Sequence, residues 1–180
     1  MKATGIVRRI DDLGRVVIPK EIRRVLRIRD GDPLEIYTAG DGEVIFKKYS
    51  PIGELSSIAV QYVEAMIKHT SSPVIVCDRD HCVAAAGITR REVLERRVSL
   101  ELEELIESRA TYIFGTDTTN PPQALEGFDR TAAIVVPILS AGDISGAVVM
   151  LVNDEGSAPT DTDIKLAKVA ASFLGKQMEE

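Results

Sequence analysis

Basic side chains recur at helical spacing in the first thirty residues of the chain. The set consists of Lys20, Arg23, Arg24 and Arg27. Residues at positions i, i+3, i+4 and i+7 share one face of a helix, so these cations are expected to lie side by side. Neighbouring cations repel one another unless an anion is close, and arginine is suited to bidentate contacts with phosphate. The pattern indicates a surface that binds a polyanion, and the alternative is a solvated basic helix face.

Three further arginines precede this helix. Arg8 and Arg9 belong to a predicted strand over residues 5–10, and Arg15 follows a turn at which Gly14 permits positive φ. Residues 1–50 contain 11 Lys and Arg and 8 Asp and Glu, a net charge of +3. Residues 51–180 contain 11 Lys and Arg and 20 Asp and Glu, a net charge of −9. A basic segment is therefore joined to an acidic body, which is typical of a nucleic-acid-binding module with a separate domain.

The hydrophobic pattern of residues 1–50 predicts four short strands and one helix. The strands cover residues 5–10, 15–18, 33–38 and 43–48, and Pro19 begins a helix that continues to about Leu26. Ile22, Val25 and Leu26 are expected to face the core. So short a segment buries too little apolar surface to fold alone, and it contains no cysteine. We therefore expect a symmetric dimer, in which each cation occurs twice about a two-fold axis, as suits duplex DNA.

The stretch from residue 5 to residue 24 contains the run Gly-Arg-Val-Val-Ile-Pro at positions 14–19 and is followed by a strand segment at 31–36. This pattern resembles the AbrB-type swapped-hairpin transcription factors, and the likeness covers essentially all of residues 1–50. The resemblance implies that two chains exchange hairpins to form one β-barrel. It also implies binding to double-stranded DNA at A·T-rich, deformable sites that are read partly by their shape.

The resemblance implies that four arginines face DNA, namely Arg8, Arg15, Arg23 and Arg24. Arg9 occupies another position that is basic in the family. Lys20 and Arg27 are assigned to the same surface by their helical spacing alone. The predicted DNA-binding set is therefore Arg8, Arg9, Arg15, Lys20, Arg23 and Arg24.

Residues 51–180 are expected to form a separate α+β domain. Ser50 and Pro51 provide the N-cap and first position of a helix over 52–69, and Thr160 caps a closing helix that continues to Met178. The remaining pattern predicts strands at 73–77, 81–86, 112–114, 131–139 and 144–152 and helical structure at 89–108. The predicted fold class is thus α+β, with a swapped-hairpin dimeric β-barrel module followed by this domain.

Residues 136–138 and 142–149 resemble the central hairpin of GAF domains, and the whole chain resembles sporulation regulators that join such a domain to the swapped-hairpin module. The resemblance implies a sensor with a cavity beneath residues 87–92 and 115–130. The second segment is long for a loop without secondary structure, which is typical of a lid or of a mobile loop. A small-molecule ligand is therefore expected. The motif of cyclic-nucleotide-binding GAF domains is missing from the sequence, so that ligand class is not expected.

No pattern of catalytic residues stands out, and we expect a non-enzyme without metal or cofactor. His69 and His81 lack metal-ligand spacing, and the sequence has no phosphate-binding glycine loop or nucleophile elbow. Cys77 and Cys82 flank a tight turn, where they act either as small buried hydrophobes or as a redox pair. The start of the chain lacks the apolar run of a signal peptide, and no segment is long enough to cross a membrane, so a cytoplasmic location is expected.

The expected function is a transcription regulator of sporulation whose activity the GAF-like domain modulates. The main alternative is an antitoxin, although antitoxins with this fold usually carry a short extended tail in place of a folded domain. A sensor or scaffold that does not bind DNA would leave the arginines without a role. Apolar residues on more than one face of the first and last helices of residues 51–180 also predict a homotetramer, built as a dimer of dimers.

Overall fold

A computed structural model describes residues 4–116 and 120–179 of the chain. The chain divides into two compact units, Met1–Tyr49 and Ser50–Glu180. The first unit contains α1 (Lys20–Val25), β1 (Leu34–Thr38) and β2 (Val44–Lys48). The two strands form an antiparallel hairpin in which Ile36 lies opposite Phe46, which confirms the hairpin predicted over residues 33–48.

The two strands predicted at residues 5–10 and 15–18 are not paired into a sheet, so this prediction is wrong for the single chain. Within the described residues, the backbone hydrogen bonds here only close the turn between them. The N–H of Asp11 donates to the carbonyl of Arg15 at 3.1 Å, and the N–H of Gly14 donates to the carbonyl of Asp11 at 3.0 Å. A strand needs a neighbour that takes up its backbone hydrogen bonds, and one chain offers these segments none.

Helix α1 ends earlier than its basic spacing suggests. Arg27 takes a φ of +50°, and the N–H of Ile28 donates to the carbonyl of Arg23 at 2.8 Å. This left-handed residue and six-to-one bond form a Schellman-type end. Arg27 therefore lies beyond the helix and does not continue the face of Lys20. Ile22 is half-buried, but Val25 and Leu26, which were predicted to face the core, are 68% and 52% exposed because nothing in the single chain covers them.

The second unit has a five-stranded antiparallel sheet with helices on both faces. Its elements are α2 (Pro51–Glu54), α3 (Ser56–Met66), β3 (Val74–Asp78), β4 (Cys82–Ala86), α4 (Arg90–Val93), α5 (Leu100–Glu107), β5 (Tyr112–Ile113), β6 (Ala132–Ser140), β7 (Asp143–Leu151) and α6 (Asp161–Gln177). The strand order is β4-β3-β7-β6-β5. Strands β6 and β7 are buried over most of their length, which confirms the two central strands predicted from continuous apolar runs.

The sheet separates two hydrophobic clusters. On one face Ile52, Val63 and Leu174 from α2, α3 and α6 pack against β-strand side chains such as Met150. On the other face Leu102 and Ile106 of α5 join Val98 and Leu125 from the connecting segments. Each fully buried Leu or Ile contributes roughly 1.5–3 kcal/mol to folding. The predicted α+β layers are confirmed, and both sheet faces carry a complete apolar cluster.

Two of the three long helices predicted in this unit are interrupted. The side chain of Ser50 accepts a hydrogen bond from the N–H of Gly53 at 3.0 Å, and the chain leaves helical geometry at Leu55 before α3 begins. The helix predicted at 89–108 divides into α4 and α5. Between them, the N–H of Cys82 donates to the carbonyl of Arg96 at 2.9 Å, so the intervening residues extend along the edge of β4. Tertiary hydrogen bonds thus override the helical pattern.

The described part of the expected lid packs into the second cluster. Leu125 is fully buried, and the hydroxyl of Ser99 donates to the carbonyl of Gln123 at 2.5 Å. Arg96 donates to the carbonyl of Gly127 at 2.6 Å, and its guanidinium lies over the ring of Phe128. Residues 117–119 of this segment lie outside the described residues. Ala124 and Leu125 therefore belong to the core, whereas the segment was expected to be a lid or a mobile loop.

Helix α6 begins with the predicted cap. The hydroxyl oxygen of Thr160 accepts a hydrogen bond from the N–H of Asp163 at 3.2 Å, and the carboxylate of Asp163 accepts one from the N–H of Thr160 at 2.8 Å. This reciprocal arrangement is a capping box. Burial raises the pKa of Asp163, but hydrogen bonds from Thr70 and Thr160 outweigh this effect and hold the pKa below its usual value. The cap therefore stays ionised at neutral pH.

Candidate nucleic-acid interface

All six predicted DNA-binding residues belong to the first unit. Arg8 and Arg9 precede the 11–15 turn, Arg15 ends it, and the other three lie on α1. Arg23 is half-buried, and the remaining five are exposed. These cations therefore lie on two short segments, the one around the 11–15 turn and α1, which Pro19 joins.

The turn before Arg15 is organised by one carboxylate. One oxygen of Asp11, Oδ1, accepts hydrogen bonds from the N–H groups of Leu13 at 3.1 Å and Arg15 at 2.8 Å. The other oxygen, Oδ2, accepts a hydrogen bond from Nε of Arg15 at 2.8 Å. The backbone N–H of Arg15, and after it the guanidinium, hold the pKa of Asp11 below its usual value. Asp11 is therefore ionised wherever the turn is formed.

A second carboxylate pairs with Arg23. Nη1 of Arg23 lies 2.7 Å from Oδ1 of Asp30, whose side chain is 95% exposed. Among the described residues, the other four predicted cations have no ion pair. They are Arg8, Arg9, Lys20 and Arg24. Solvated cations without a protein partner raise the positive potential of this unit and attract an anionic ligand.

The end of α1 is fastened to the hairpin by a buried carboxylate. Oδ2 of Asp32 accepts a hydrogen bond from the N–H of Arg29 at 2.8 Å and lies 3.4 Å from Nζ of Lys48. The same Nζ donates to the carbonyl of Arg27 at 2.9 Å. The Asp32 side chain is only 3% exposed. These bonds fix the direction of α1, and with it the positions of its cations, relative to β2.

Sequence reasoning missed the roles of three carboxylates in this unit, those of Asp11, Asp30 and Asp32. The pairing of Asp11 with Arg15 has a readable signal, because the two residues are four positions apart across a turn. The pairing of Arg23 with Asp30 has no such signal. It depends on the chain reversal after α1, which the left-handed conformation of Arg27 produces.

Large apolar side chains are also exposed throughout this unit. Among the most exposed are Val7 at 90%, Val17 at 71% and Leu13 at 70%. The others are Ile6, Ile10, Val16, Val25, Leu26, Ile36, Tyr37, Val44, Phe46 and Tyr49. Monomeric proteins rarely expose a contiguous apolar surface of this kind, and such a surface marks an interface.

The two cysteines face each other across the β3–β4 hairpin and are fully buried. A hydrogen bond with Cys82, followed by burial, raises the pKa of the Cys77 thiol well above its ordinary value. A thiol with a raised pKa is a poor nucleophile, which favours the interpretation of this pair as small hydrophobes. No group of three or more potential metal ligands occurs in the described part of the chain.

The second unit carries a groove of about 490 Å³ between β6 and α6. Val136 and Leu139 line it from the strand, and Lys168, Ala171 and Lys176 line it from the helix. This groove lies on the α6 face of the sheet, opposite the face on which a cavity was expected. None of the helices in residues 4–116 and 120–179 has the length and apolar character that a membrane span requires.

Two family models match the chain. Residues 54–179 match the model described as stage V sporulation protein T C-terminal, transcription factor. Residues 7–53 match the model described as antidote-toxin recognition MazE, bacterial antitoxin. The chain is 46% identical over 182 aligned residues to stage V sporulation protein T of Bacillus subtilis, with complete coverage of both proteins.

The two units also have separate relatives. The first unit is 61% identical over 51 residues to the transition state regulatory protein AbrB of Bacillus subtilis. This alignment covers 28% of this chain and 52% of AbrB. The GAF domain of an Acinetobacter phosphoenolpyruvate-protein phosphotransferase has a TM-score of 0.52 at 12% identity, and covers 73% of this chain and 84% of that domain. This likeness shows that the second unit has the GAF fold.

The antitoxin alternative is not favoured, because the antitoxin model matches only the first unit whereas the sporulation protein aligns with both. The resemblance to AbrB-type factors and to GAF domains, which was expected from the sequence, is confirmed. With a family model matched over residues 54–179 and 46% identity along its full length, this chain belongs to the stage V sporulation protein T family and is a sporulation-related transcription regulator.

Proposed function

We propose that this regulator binds double-stranded DNA at A·T-rich promoter sites through the first unit. The proposed contacts are Arg8, Arg9, Arg15, Lys20, Arg23 and Arg24. The observation that carries the proposal is the concentration of six basic side chains, five of them exposed, in one small unit of an otherwise acidic chain. Phosphate contacts by such cations release condensed counterions and supply most of the non-specific affinity. Binding to a bacterial chromosome would place the protein in the cytoplasm.

The first unit is proposed to act as a homodimer in which two chains exchange hairpins. Its segments at 5–10 and 15–18 lack strand partners within one chain, and its apolar side chains such as Val7 and Val17 are exposed. A second copy supplies both missing strand neighbours and cover for these side chains. The dimer also doubles every cation about a two-fold axis, which matches the pseudo-symmetry of the duplex.

Selection of duplexes from a randomised library by the full chain tests DNA binding and sequence preference together. Retained duplexes should be enriched in A·T-rich, deformable steps, and binding should weaken as salt is raised. Gel shifts against sporulation promoter fragments then measure affinity for natural sites. If the folded chain retains no duplex at low salt, the proposal is wrong.

The working species is proposed to be a homotetramer, a dimer of dimers. The outer surface of α3 and α6 carries apolar side chains that the second unit leaves partly uncovered. Val169 is 58% exposed, and Phe173 is 38% exposed although it stacks on Tyr62 with ring centroids 5.1 Å apart. A helix that packs on its own sheet needs one apolar face, so this surplus favours a helical bundle between second units.

Light scattering on the full chain should give the mass of four chains. Val169→Glu should convert this species to a dimer, because it places a charge in the proposed bundle while leaving the buried face of α6 intact. Leu100→Glu, at an exposed apolar position of α5 on the other face of the sheet, should remain tetrameric. A wild-type dimer at micromolar concentration would contradict the proposal, as would a Val169→Glu tetramer.

A small organic anion is proposed to modulate the regulator from the groove between β6 and α6. Val136 and Ala171 provide apolar lining, Lys168 provides positive charge, and Lys176 is paired with Glu179, which also lines the groove. A ligand that binds only the native state raises the melting temperature, so a thermal-shift screen of metabolites should yield carboxylates or phosphates that stabilise the chain. Lys168→Ala should reduce that shift and Lys165→Ala should not. The proposal fails if no compound stabilises the wild type.

A further inference from the structure

We propose that Asp11 is a positioning residue that holds Arg15 in the orientation needed to contact DNA. The inference rests on the proposed DNA-binding function and deepens it. It assigns a role to a carboxylate that carries the wrong charge for direct contact with phosphate. The role follows from the three hydrogen bonds that this side chain accepts within one turn.

Asp11 is itself fixed by the backbone. Its Oδ1 accepts hydrogen bonds from the N–H groups of Leu13 and Arg15, so the carboxylate cannot rotate without losing both of these bonds. Its Oδ2 is thereby aimed at the guanidinium, where Nε lies 2.8 Å away. An ordinary exposed ion pair must order two flexible side chains for one contact and is worth little. Here one partner is already ordered by backbone bonds, so only Arg15 loses freedom.

The atom that Asp11 holds determines what Arg15 can still bind. Because Nε is occupied, both terminal nitrogens of the guanidinium remain available, and the side chain is 69% exposed. Two parallel donors at the tip suit a bidentate contact with a phosphate or with the O6 and N7 atoms of guanine. Arg23 differs, since Asp30 occupies its terminal Nη1 and, among the described residues, no backbone N–H donates to the Asp30 carboxylate.

Charge and positioning predict opposite effects when this carboxylate is removed. Loss of a negative charge beside DNA should strengthen binding if charge alone matters. Loss of the group that orients Arg15 should weaken binding to the preferred site, because the arginine must then be ordered during association. Asp12 provides the matched control. It is the adjacent residue, is exposed, has the same charge, and has no ion pair among the described residues.

The experiment compares Asp11→Asn with Asp12→Asn in the full chain by fluorescence anisotropy, using the duplex selected by the wild type at fixed salt. Asparagine keeps the Oδ1 acceptor for the turn and removes the charge from the contact with Arg15. Asp11→Asn should bind about tenfold more weakly than the wild type, because Arg15 in each chain keeps its contact but must be ordered during association. Asp12→Asn should bind as tightly as the wild type or more tightly.

A double-substitution cycle separates positioning from a general effect on the fold. In an Arg15→Ala background, Asp11→Asn should change affinity no more than Asp12→Asn does. Arg15→Lys should lose nearly as much affinity as Arg15→Ala, because lysine keeps the charge but lacks the planar fork that binds Asp11 through one nitrogen and presents two parallel donors on the others. This variant leaves Asp11 intact, so it tests the proposal even if Asp11→Asn does not fold.

If folded Asp11→Asn binds the duplex as tightly as the wild type, or more tightly, the positioning role is overturned. Near-wild-type binding by Arg15→Lys would overturn it as well. Both outcomes leave the proposed function standing, since the wild type would still bind its duplex. A wild type that binds no duplex would instead overturn the proposed function.

Discussion

Replacing Arg15 or Arg23 with alanine is expected to reduce the affinity of the full chain for its selected duplex by about thirtyfold or more. Each arginine occurs twice in the proposed dimer, and one lost base or phosphate contact costs about 1–3 kcal/mol, so the two copies together cost roughly 2–6 kcal/mol. Where the lost contacts are to phosphate, the dependence of log affinity on log salt should also become shallower, by about one unit for each contact.

Thermal unfolding and far-UV circular dichroism must show that both variants keep the fold, which is expected because Arg15 is exposed and Arg23 only half-buried. Lys165→Ala removes one exposed cation from α6 of the second unit and provides the matched control for net charge. Its affinity should stay within a factor of about two of the wild type, since distant surface charges are screened. Wild-type affinity in both arginine variants would remove these residues from the interface.

The largest effect on stability is expected for Gly146→Ala. Gly146 lies on β7 opposite Asp78 of β3, and a Cβ at this position would lie 2.1 Å from the carbonyl oxygen of Cys77. The atom it meets belongs to a central strand and cannot rotate away. Overpacking of a core typically costs about 1–3 kcal/mol, and displacement of backbone places this case at or above the upper end. The melting temperature should fall by roughly 10 °C.

Gly142→Ala tests whether the loss of stability expected for Gly146→Ala arises from the close approach of the strands. Gly142 has a φ of +88°, yet no atom lies within 4 Å of the position its Cβ would take. Its replacement introduces backbone strain without a clash and should cost only about 1 kcal/mol. Gly175→Ala should resemble Gly146→Ala, because its Cβ would lie 2.1 Å from the carbonyl oxygen of Leu139. Scanning calorimetry measures all three, and equal stability of Gly146→Ala and the wild type would contradict the expected clash.

Elements with a complete local signal were predictable from the sequence. The apolar runs that became β6 and β7 indicate strands buried on both faces, and both strands are almost wholly inaccessible. Ser50 and Thr160 each precede a helix that their side chains cap. In each case the stabilising contact lies within a few residues of the pattern that predicts it.

Elements that depend on distant contacts were not predictable in the same way. Residues 5–10 have the composition of a strand, but a strand forms only where another takes up its hydrogen bonds. The 94–99 segment has a helical pattern, yet its backbone hydrogen bonds go to Cys82 of β4, to Asp80 before that strand, and to residues 124 and 126. Leu125 lies in a segment whose Gly and Pro content indicates a loop, and it is buried because Ser99 and Arg96 hold its neighbours in place.

The candidate interface was likewise predictable only where the signal is local. Helical spacing was sufficient to bring Lys20, Arg23 and Arg24 together on α1, whereas the left-handed conformation of Arg27 that ends the helix has no glycine to signal it. The ion pairs that Asp11 and Asp30 form with Arg15 and Arg23 are not part of this helical spacing. Their geometry became evident only once the 11–15 turn and the reversal toward Asp30 were described.

DNA binding by the cations of the first unit is tested most directly by measuring the affinity of the full chain for its selected duplex between about 50 and 200 mM salt. Log affinity should fall linearly with log salt, with a loss of about 10³-fold or more across this range if six or more phosphates are contacted. The combined Arg15→Ala, Arg23→Ala chain should show weaker binding and a shallower slope. Failure of the folded wild type to bind at the lowest salt, or an affinity that does not change with salt, would contradict DNA binding through these residues.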